Sequence, residues 1–150
     1  QSARETGQVG KKRGARSIPG QWMLCELNRE FPTWLTIWPR ERMDKLFGSK
    51  TIRTGNETFD KRFNVSSDDE VAALHILTPD CAEKILALAD SSFGKFAINL
   101  NSDGRLYLAV HSGHGFFDIG KGREDPAQLR QRFTCELTWF TNMIDVFRGA

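Results

Sequence analysis

The C-terminal end of the chain carries a long apolar stripe at helical spacing. Its apolar residues recur at intervals of four, four, three, four and three positions: Leu129, Phe133, Leu137, Phe140, Ile144 and Phe147. This spacing predicts a helix of about five turns with one covered face, which Trp139, Met143 and Val146 widen. Asp125 as the cap and Pro126 in the first turn mark its start. A helix with so wide an apolar face must pack on a large surface, and we expect that surface to be a sheet.

The clearest strand pattern lies before that helix. Two runs of alternating apolar residues flank an Asp-Gly turn at Asp103-Gly104, a dipeptide that matches the twist of paired strands. The alternating residues are Phe96, Ile98 and Leu100 in the first run and Leu106, Leu108 and Val110 in the second. Tyr107 and Ala109 therefore fall on the opposite face. Phe116–Ile119 is predicted to be a further short strand.

Two more β-prone runs, Trp22–Leu27 and Trp34–Pro39, are separated by a short polar segment and are interpreted as a second hairpin. The later run alternates, so its tryptophans share one face and its aliphatic residues share the other: Trp34 and Trp38 against Leu35 and Ile37. We expect both faces of this strand to be covered. Stacking of nucleic-acid bases on the two tryptophans would require basic residues beside them, and none share that face.

The segment from Glu57 to Pro79 is interpreted as a strand that leads into two helices. Phe59, Phe63 and Val65 lie on the predicted strand, which Gly55-Asn56 connects to Thr51–Thr54 in a short hairpin. The spacing then becomes helical, with Val71, Leu74 and Ile76-Leu77 on one face.

Local signals also predict where the two helices begin. Asp68 or Asp69 can cap the first through a side-chain oxygen. Thr78 and Pro79 form the usual start of the second, which ends at Ser91-Ser92. The acidic run Asp68-Asp69-Glu70 is thus explained by capping and by the helix dipole, without a role in acid–base chemistry or Mg²⁺ binding.

The same segment resembles the bacterial domain-of-unknown-function family 3137. The matching residues run Phe59-Asp-Lys-Arg-Phe-Asn-Val-Ser-Ser-Asp-Asp-Glu-Val-Ala-Ala-Leu-His-Ile-Leu-Thr-Pro79, with Asp60 where the family usually has Glu. Weaker similarity extends over residues 46 to 148. The resemblance implies one or two membrane helices before this domain and, for some members, genes beside those of LemA-type proteins. It implies no activity, so no site residue is carried over.

Composition indicates one globular domain with a charged tail. The 150 residues are 39% hydrophobic and include eleven Phe and four Trp, which can fill a core. No run approaches the roughly 18 to 20 apolar residues of a membrane span. Residue 1 is Gln, so we expect a longer or processed protein. We assign residues 1–20 to a basic tail or juxtamembrane linker and residues 21–150 to one domain.

The basic tail accounts for the positive charge of the chain. Residues 1–16 carry a net +4 from one acidic residue, Glu5, and five basic ones: Arg4, Lys11, Lys12, Arg13 and Arg16. The whole chain is +2, so the remainder is −2. The tail could lie against anionic lipid or phosphate, at about 1 kcal/mol for each basic residue near a membrane, or be a solvated linker. We expect no specific nucleic-acid partner.

Candidate reactive residues are few. The three cysteines, Cys25, Cys81 and Cys135, are far apart and lack CxxC spacing, which favours reduced thiols in the cytoplasm; Cys81 and Cys135 are expected to be buried and inert. His111-Ser-Gly-His114 is the one local pair of imidazoles, and its spacing on a strand end and glycine loop is weak for a metal. We therefore expect no metal site and no cofactor.

His75 lies in an apolar helical run, where a partly buried histidine with a hydrogen-bond partner is the ordinary interpretation. The phosphate-binding glycine motifs and the Gly-x-Ser-x-Gly elbow are absent from the sequence. An enzyme would need His75, His111 or His114 to meet a carboxylate in space.

The sequence therefore predicts an α+β domain. We expect six to seven mainly antiparallel strands, an inserted helical pair near residues 68 to 91, and a long C-terminal helix packed on the sheet. Seven strands before one long helix would also suit a pleckstrin-homology-like barrel, which the inserted helices disfavour. The expected function is a non-catalytic binding or scaffold domain, on the cytoplasmic side of a bacterial inner membrane if a span precedes it and in the cytoplasm otherwise. The expected partner is a protein or an anionic membrane surface; the alternative is an enzyme of unrecognised type.

Overall fold

The fold combines one antiparallel sheet with helices that cover one of its faces. The computed structural model describes residues 20–41, 51–111 and 125–149, which contain five strands and four helices. In chain order these are β1 (Gln21–Glu26), β2 (Leu35–Pro39), α1 (Glu57–Arg62), β3 (Phe63–Ser66), α2 (Glu70–Ile76), α3 (Pro79–Asp90), β4 (Lys95–Leu100), β5 (Arg105–His111) and α4 (Pro126–Arg148). The α+β prediction, with an inserted helical pair and a long final helix, is confirmed.

The strand order is β1-β5-β4-β2-β3, and every pairing is antiparallel. Within the described ranges the end strands β1 and β3 do not pair with each other, so the five strands do not close into a barrel. Five strands are fewer than the six to seven expected, and the predicted strand at residues 116–119 lies outside the described residues. No helix in these ranges has the length and apolar character needed to cross a membrane.

The segment predicted as a strand at Phe59 is a helix instead. Asn56 begins α1, because its side-chain oxygen accepts a hydrogen bond from the Phe59 N–H at 3.2 Å. Phe59 is fully buried on this short helix, and the strand starts only at Phe63. Gly55 does have the positive φ expected of it, at 89°, but it leads into the cap rather than into a hairpin.

The expected hairpin between the first two strands is also wrong. β1 and β2 both exist, but they lie apart, with β5 and β4 between them. The connection passes around the turn of the β4–β5 hairpin, where Leu27 N–H donates to Gly104 O at 2.9 Å and Phe31 N–H donates to Ser102 O at 2.8 Å. Both runs form strands, as their propensity predicts. They are not neighbours in the sheet, because the β4–β5 hairpin inserts between them.

The β4–β5 hairpin matches its prediction. Its register pairs Phe96 with Val110 and Ile98 with Leu108, so the alternating apolar residues share one face. This inner face of the sheet carries the buried strand residues Leu35, Ile37, Phe63, Val65, Phe96, Ile98, Leu100, Leu106, Leu108 and Val110. The turn ends at Gly104 with φ 92°.

Helices α2 and α3 begin at the capping residues predicted from the sequence. Asp69 accepts from Ala72 N–H at 3.1 Å at the start of α2, and Thr78 accepts from Cys81 N–H at 3.2 Å at the start of α3. Ala72, Ala73 and Ile76 form the buried side of α2, whereas Val71, predicted on that side, is 67% exposed.

The long helix α4 packs on the inner face. Its buried residues include Trp139, Phe140, Met143 and Phe147, but Leu137, predicted on the stripe, is 48% exposed and Glu136 is buried. A chain of ring contacts connects the elements through Phe59, Phe63, Phe96 and Trp139, with centroids 5.1 to 5.4 Å apart. The Trp139 indole also donates to Leu88 O at 2.8 Å, which joins α4 to α3.

Candidate functional site

The face of the sheet opposite the helices contains the strongest candidate for a binding surface. We call it the outer face and define it by the side chains that alternate with the buried apolar set: Trp22, Leu24, Glu26, Thr36, Trp38, Asn64, Ser66, Lys95, Ala97, Asn99, Arg105, Tyr107, Ala109 and His111. Asn64, on the edge strand β3, is buried, whereas the β1 side of this face is exposed. Trp22 is 71% exposed and Leu24 is 46% exposed. Because large apolar side chains next to one another on a surface commonly mark interaction sites, this face stands apart from the rest of the described surface.

Two tryptophans flank two alanines across the outer face. The register aligns Trp22 with Ala109 and Ala109 with Ala97. The pairing of Ile37 with Ile98, continued by one residue, places Trp38 beside Ala97. Small residues on β5 and β4 leave room between the two aromatic side chains on the flanking strands β1 and β2. The sheet thus forms a shallow trough that aromatic walls border on both sides.

A cavity of about 380 Å³ lies at one end of this trough. Its lining includes Trp22, Ala97 and Ala109 together with three polar residues, Glu41, Lys95 and His111. The Lys95 ammonium lies 3.7 Å from the Glu41 carboxylate, and both side chains are largely exposed, so this ion pair contributes little to stability. An apolar floor beside a few polar groups is the usual composition of a ligand site.

The histidines proposed from the sequence do not converge. His75 is exposed in the last turn of α2, and His111 is exposed at the end of β5 beside the cavity. His114 lies outside the described residues, as do the tail residues Arg4, Lys11, Lys12, Arg13 and Arg16. Within the ranges that the structure describes, no group of three or more His, Cys, Asp or Glu side chains is placed to hold a metal ion.

The acidic run before α2 has the structural role expected of it. Asp69 is the N-cap, and Asp68 accepts a hydrogen bond from the Trp34 indole at 2.6 Å. That bond ties the segment after β3 to the segment before β2. Trp34 is accordingly half-buried and is not part of the trough.

The three cysteines are free and differ in exposure. Cys81 is buried in α3, and burial, reinforced by the neighbouring Asp80 carboxylate, raises its pKa to about 12. The expectation of an inert thiol is therefore supported at Cys81. Cys135 is exposed, because it lies on the side of α4 away from the sheet, so its predicted burial is wrong.

A buried polar contact joins α4 to the edge of the sheet. Gln21 is 3% exposed and Glu136 is 2% exposed, and the Gln21 amide donates to the Glu136 carboxylate at 2.9 Å. The remaining Gln21 oxygen is buried without a hydrogen-bond partner. This contact fixes where α4 crosses β1.

Sequence reasoning missed the trough. Each of its parts was visible: Ala109 was placed opposite the core, and Ala97 alternates with Phe96 and Ile98. The missing information was the strand order, since only the insertion of the hairpin between β1 and β2 places Trp22 and Trp38 on either side of the alanines.

Comparison with known proteins agrees with the resemblance seen in the sequence. A family model described as a protein of unknown function (DUF3137) matches residues 17–148, which is most of the chain. No curated protein and no solved structure matches it. With a sheet, inserted helices and C-terminal helix that all fall within the matched range, the chain belongs to the DUF3137 family of proteins of unknown function.

Proposed function

We propose that this chain is a non-catalytic binding domain that holds a protein partner on the outer face of its sheet. The observation that carries the proposal is the exposure of Trp22 and Leu24 beside the alanine-floored trough. Tryptophan is enriched among the residues that dominate binding energy in protein interfaces. Its contribution is large when neighbouring residues exclude water from it. The trough would supply such neighbours on one side, and the partner would supply them on the other.

The polar residues at the end of the trough suit a protein more than an apolar small molecule. Glu41, Lys95 and His111 offer both signs of charge and hydrogen-bonding groups at the border of an apolar centre. Protein interfaces commonly have this arrangement, with an apolar core and a polar rim.

Photo-crosslinking in cells tests the binding surface directly. A photoreactive phenylalanine analogue at Trp22 should give a discrete higher-mass adduct, because the aromatic group would lie against the partner. The same analogue at Ala87, exposed on α3 away from the sheet, is the matched control and should give none.

A second substitution distinguishes binding in the trough from non-specific crosslinking at Trp22. Ala109→Glu places a charge on the trough floor and should greatly reduce the Trp22 adduct, while circular dichroism shows an unchanged fold. Equal adducts from Trp22 and Ala87, or an adduct unaffected by Ala109→Glu, would refute the proposed surface.

We further propose that the domain works on the cytoplasmic side of a bacterial inner membrane, as the family resemblance implies. Gly20, where the basic tail joins the domain, lies at the same end of the sheet as Arg40 and Lys95. Attachment there supports a domain held near an anionic surface by its N-terminal segment. Protease protection of the full-length protein in spheroplasts tests the location, and digestion of this domain from the periplasmic side would exclude it.

An enzyme is the second candidate, and one feature of the cavity favours it. His111 and Glu41 line the same cavity, which is the combination of imidazole and carboxylate that acid–base chemistry requires. A panel of ester, phosphate ester and peptide substrates would test it, with His111→Asn as the control. Turnover that His111→Asn abolishes would favour the enzyme; turnover equal in both proteins, or none, would count against it.

A further inference from the structure

Strand β1 lies at the edge of the sheet with one side unpaired by any described strand. It pairs with β5 alone, in a register that aligns Cys25 with Leu106 and Met23 with Leu108. Leu27, the next residue after β1, donates its N–H to Gly104 at 2.9 Å in the same register. Since directly bonded pairs alternate in an antiparallel ladder, Met23 and Cys25 bond to β5 as Leu27 does.

The residues that alternate with Met23 and Cys25 direct their backbone groups away from β5. The N–H and C=O groups of Trp22, Leu24 and Glu26 point to the free edge, and their side chains lie on the outer face. Among the described residues, no other strand pairs with these groups, and the weak contact of the Cys25 thiol with Glu26 O at 3.8 Å lies at the end of the strand. This edge of β1 lies beside two exposed apolar side chains, Trp22 and Leu24.

The other edge of the sheet is protected, and the contrast is informative. On β3, Val65 O accepts from Ile52 N–H at 2.9 Å, and Val65 N–H donates to the Thr51 hydroxyl at 2.8 Å. The segment at residues 51 and 52 thus covers that edge. β1 itself contains no proline and no lysine, and its one charge, Glu26, is at its end.

We infer that two copies of this chain pair edge to edge through β1 and form one continuous antiparallel sheet. A two-fold axis perpendicular to the sheet keeps both outer faces on the same side, so opposed residues must have the same parity. Two registers then use the whole strand, one centred on Met23 and one centred on Leu24. We choose the one centred on Met23, because it places Trp22 opposite Leu24 of the second copy. Gly20 falls opposite Glu26 of the second copy, and the axis passes beside Met23.

Self-complementarity favours a second copy over another extended peptide. In this register each Trp22 lies beside the second copy's Leu24, so both exposed apolar side chains gain a neighbour at once. Glu26 meets glycine rather than a second carboxylate, so like charges are not opposed. The inference goes beyond the proposed function because neither requires the other.

Proline substitution tests the pairing at the backbone. Leu24→Pro removes an N–H that only the second copy would use, whereas Met23→Pro removes one that bonds to β5. Light scattering over a micromolar to millimolar series should show a dimer for the wild type and a monomer with native circular dichroism for Leu24→Pro. Met23→Pro should melt at a clearly lower temperature. A wild type that stays monomeric, or a folded Leu24→Pro that still dimerises, would overturn the inference.

Disulfide trapping tests the register independently of proline. In a Cys25→Ser, Cys135→Ser background, Met23→Cys should form a disulfide dimer, because Met23 faces its own copy at a non-bonded position where Cα atoms approach to about 4.5 Å. Leu24→Cys is the control and should form no disulfide dimer, since residue 24 faces Trp22 of the second copy. No dimer from Met23→Cys, or equal dimer from both, would contradict this register. A Trp22 photo-adduct with a different protein, from a monomeric wild type, would support the proposed function and overturn the dimer.

Discussion

Asp60 organises the start of α1 through three hydrogen bonds. Its carboxylate accepts from the Thr54 N–H and hydroxyl, each at 2.9 Å, and from Gly55 N–H at 3.2 Å. Asp60→Ala should lower the free energy of unfolding by about 2 kcal/mol, because it leaves these donors without their acceptor. Urea unfolding measures this. Glu57→Gln is the control: it removes the exposed pair with Lys61 and one charge in the first turn of α1, and should change stability by less than about 1 kcal/mol. Equal losses would disprove the role assigned to Asp60.

The buried Cys81 thiol makes stability depend on alkaline pH. Its pKa is about 12 in the fold and 9.0 in the unfolded reference, so the folded chain retains the proton after the unfolded chain has lost it. Its stabilising contribution is complete below pH 9 and is lost as the pH rises towards 12, at about 1.4 kcal/mol per pH unit. Urea titrations between pH 8 and pH 11 should show a shallower decline for Cys81→Ala. Parallel declines would contradict this assignment.

At the scale of elements, Gly104 allows the β4–β5 hairpin to contact the connection between β1 and β2. Gly104 and Gly55 both have positive φ, at 92° and 89°. A Cβ at Gly104 would meet the Arg29 carbonyl oxygen, whereas one at Gly55 would meet open space. Gly55→Ala should therefore cost about 1 kcal/mol from backbone strain alone, and Gly104→Ala clearly more. Thermal melts of the two variants make the comparison, and equal costs would show that the Arg29 contact is unimportant.

For the whole molecule, charge is divided between tail and domain. The tail carries +4 and the remaining residues −2, so any affinity for anionic vesicles or DNA should depend on residues 1–16. We expect binding that is weak at physiological salt, indifferent to DNA sequence and lost when those residues are deleted, because counterion release and screening weaken such contacts as salt rises. Vesicle co-sedimentation and gel shifts across a salt series measure it. Salt-resistant binding by the truncated chain would reveal a ligand surface on the domain itself.

Local signals predicted most elements but not all of their faces. The caps at Asp69 and Thr78 and the turn at Gly104 depend on groups a few residues apart, so they can be read from short segments. The apolar spacing of Phe59, Phe63 and Val65 predicts one strand, but the Asn56 side chain caps a short helix that contains Phe59. In α4, the predicted apolar stripe includes Leu137, whereas the structure buries the neighbouring Glu136 and leaves Leu137 exposed.

The sequence by itself determined the class of fold, the long C-terminal helix, the central hairpin and the family. These rest on periodicity and on turn and cap residues, which act over a few positions along the chain. Only the tertiary structure decided that β5 and β4 separate β1 from β2, and with that the trough between Trp22 and Trp38 and the unpaired edge of β1. Strand order depends on which apolar faces pack together across long separations, and the propensity of any one strand carries no information about its neighbour.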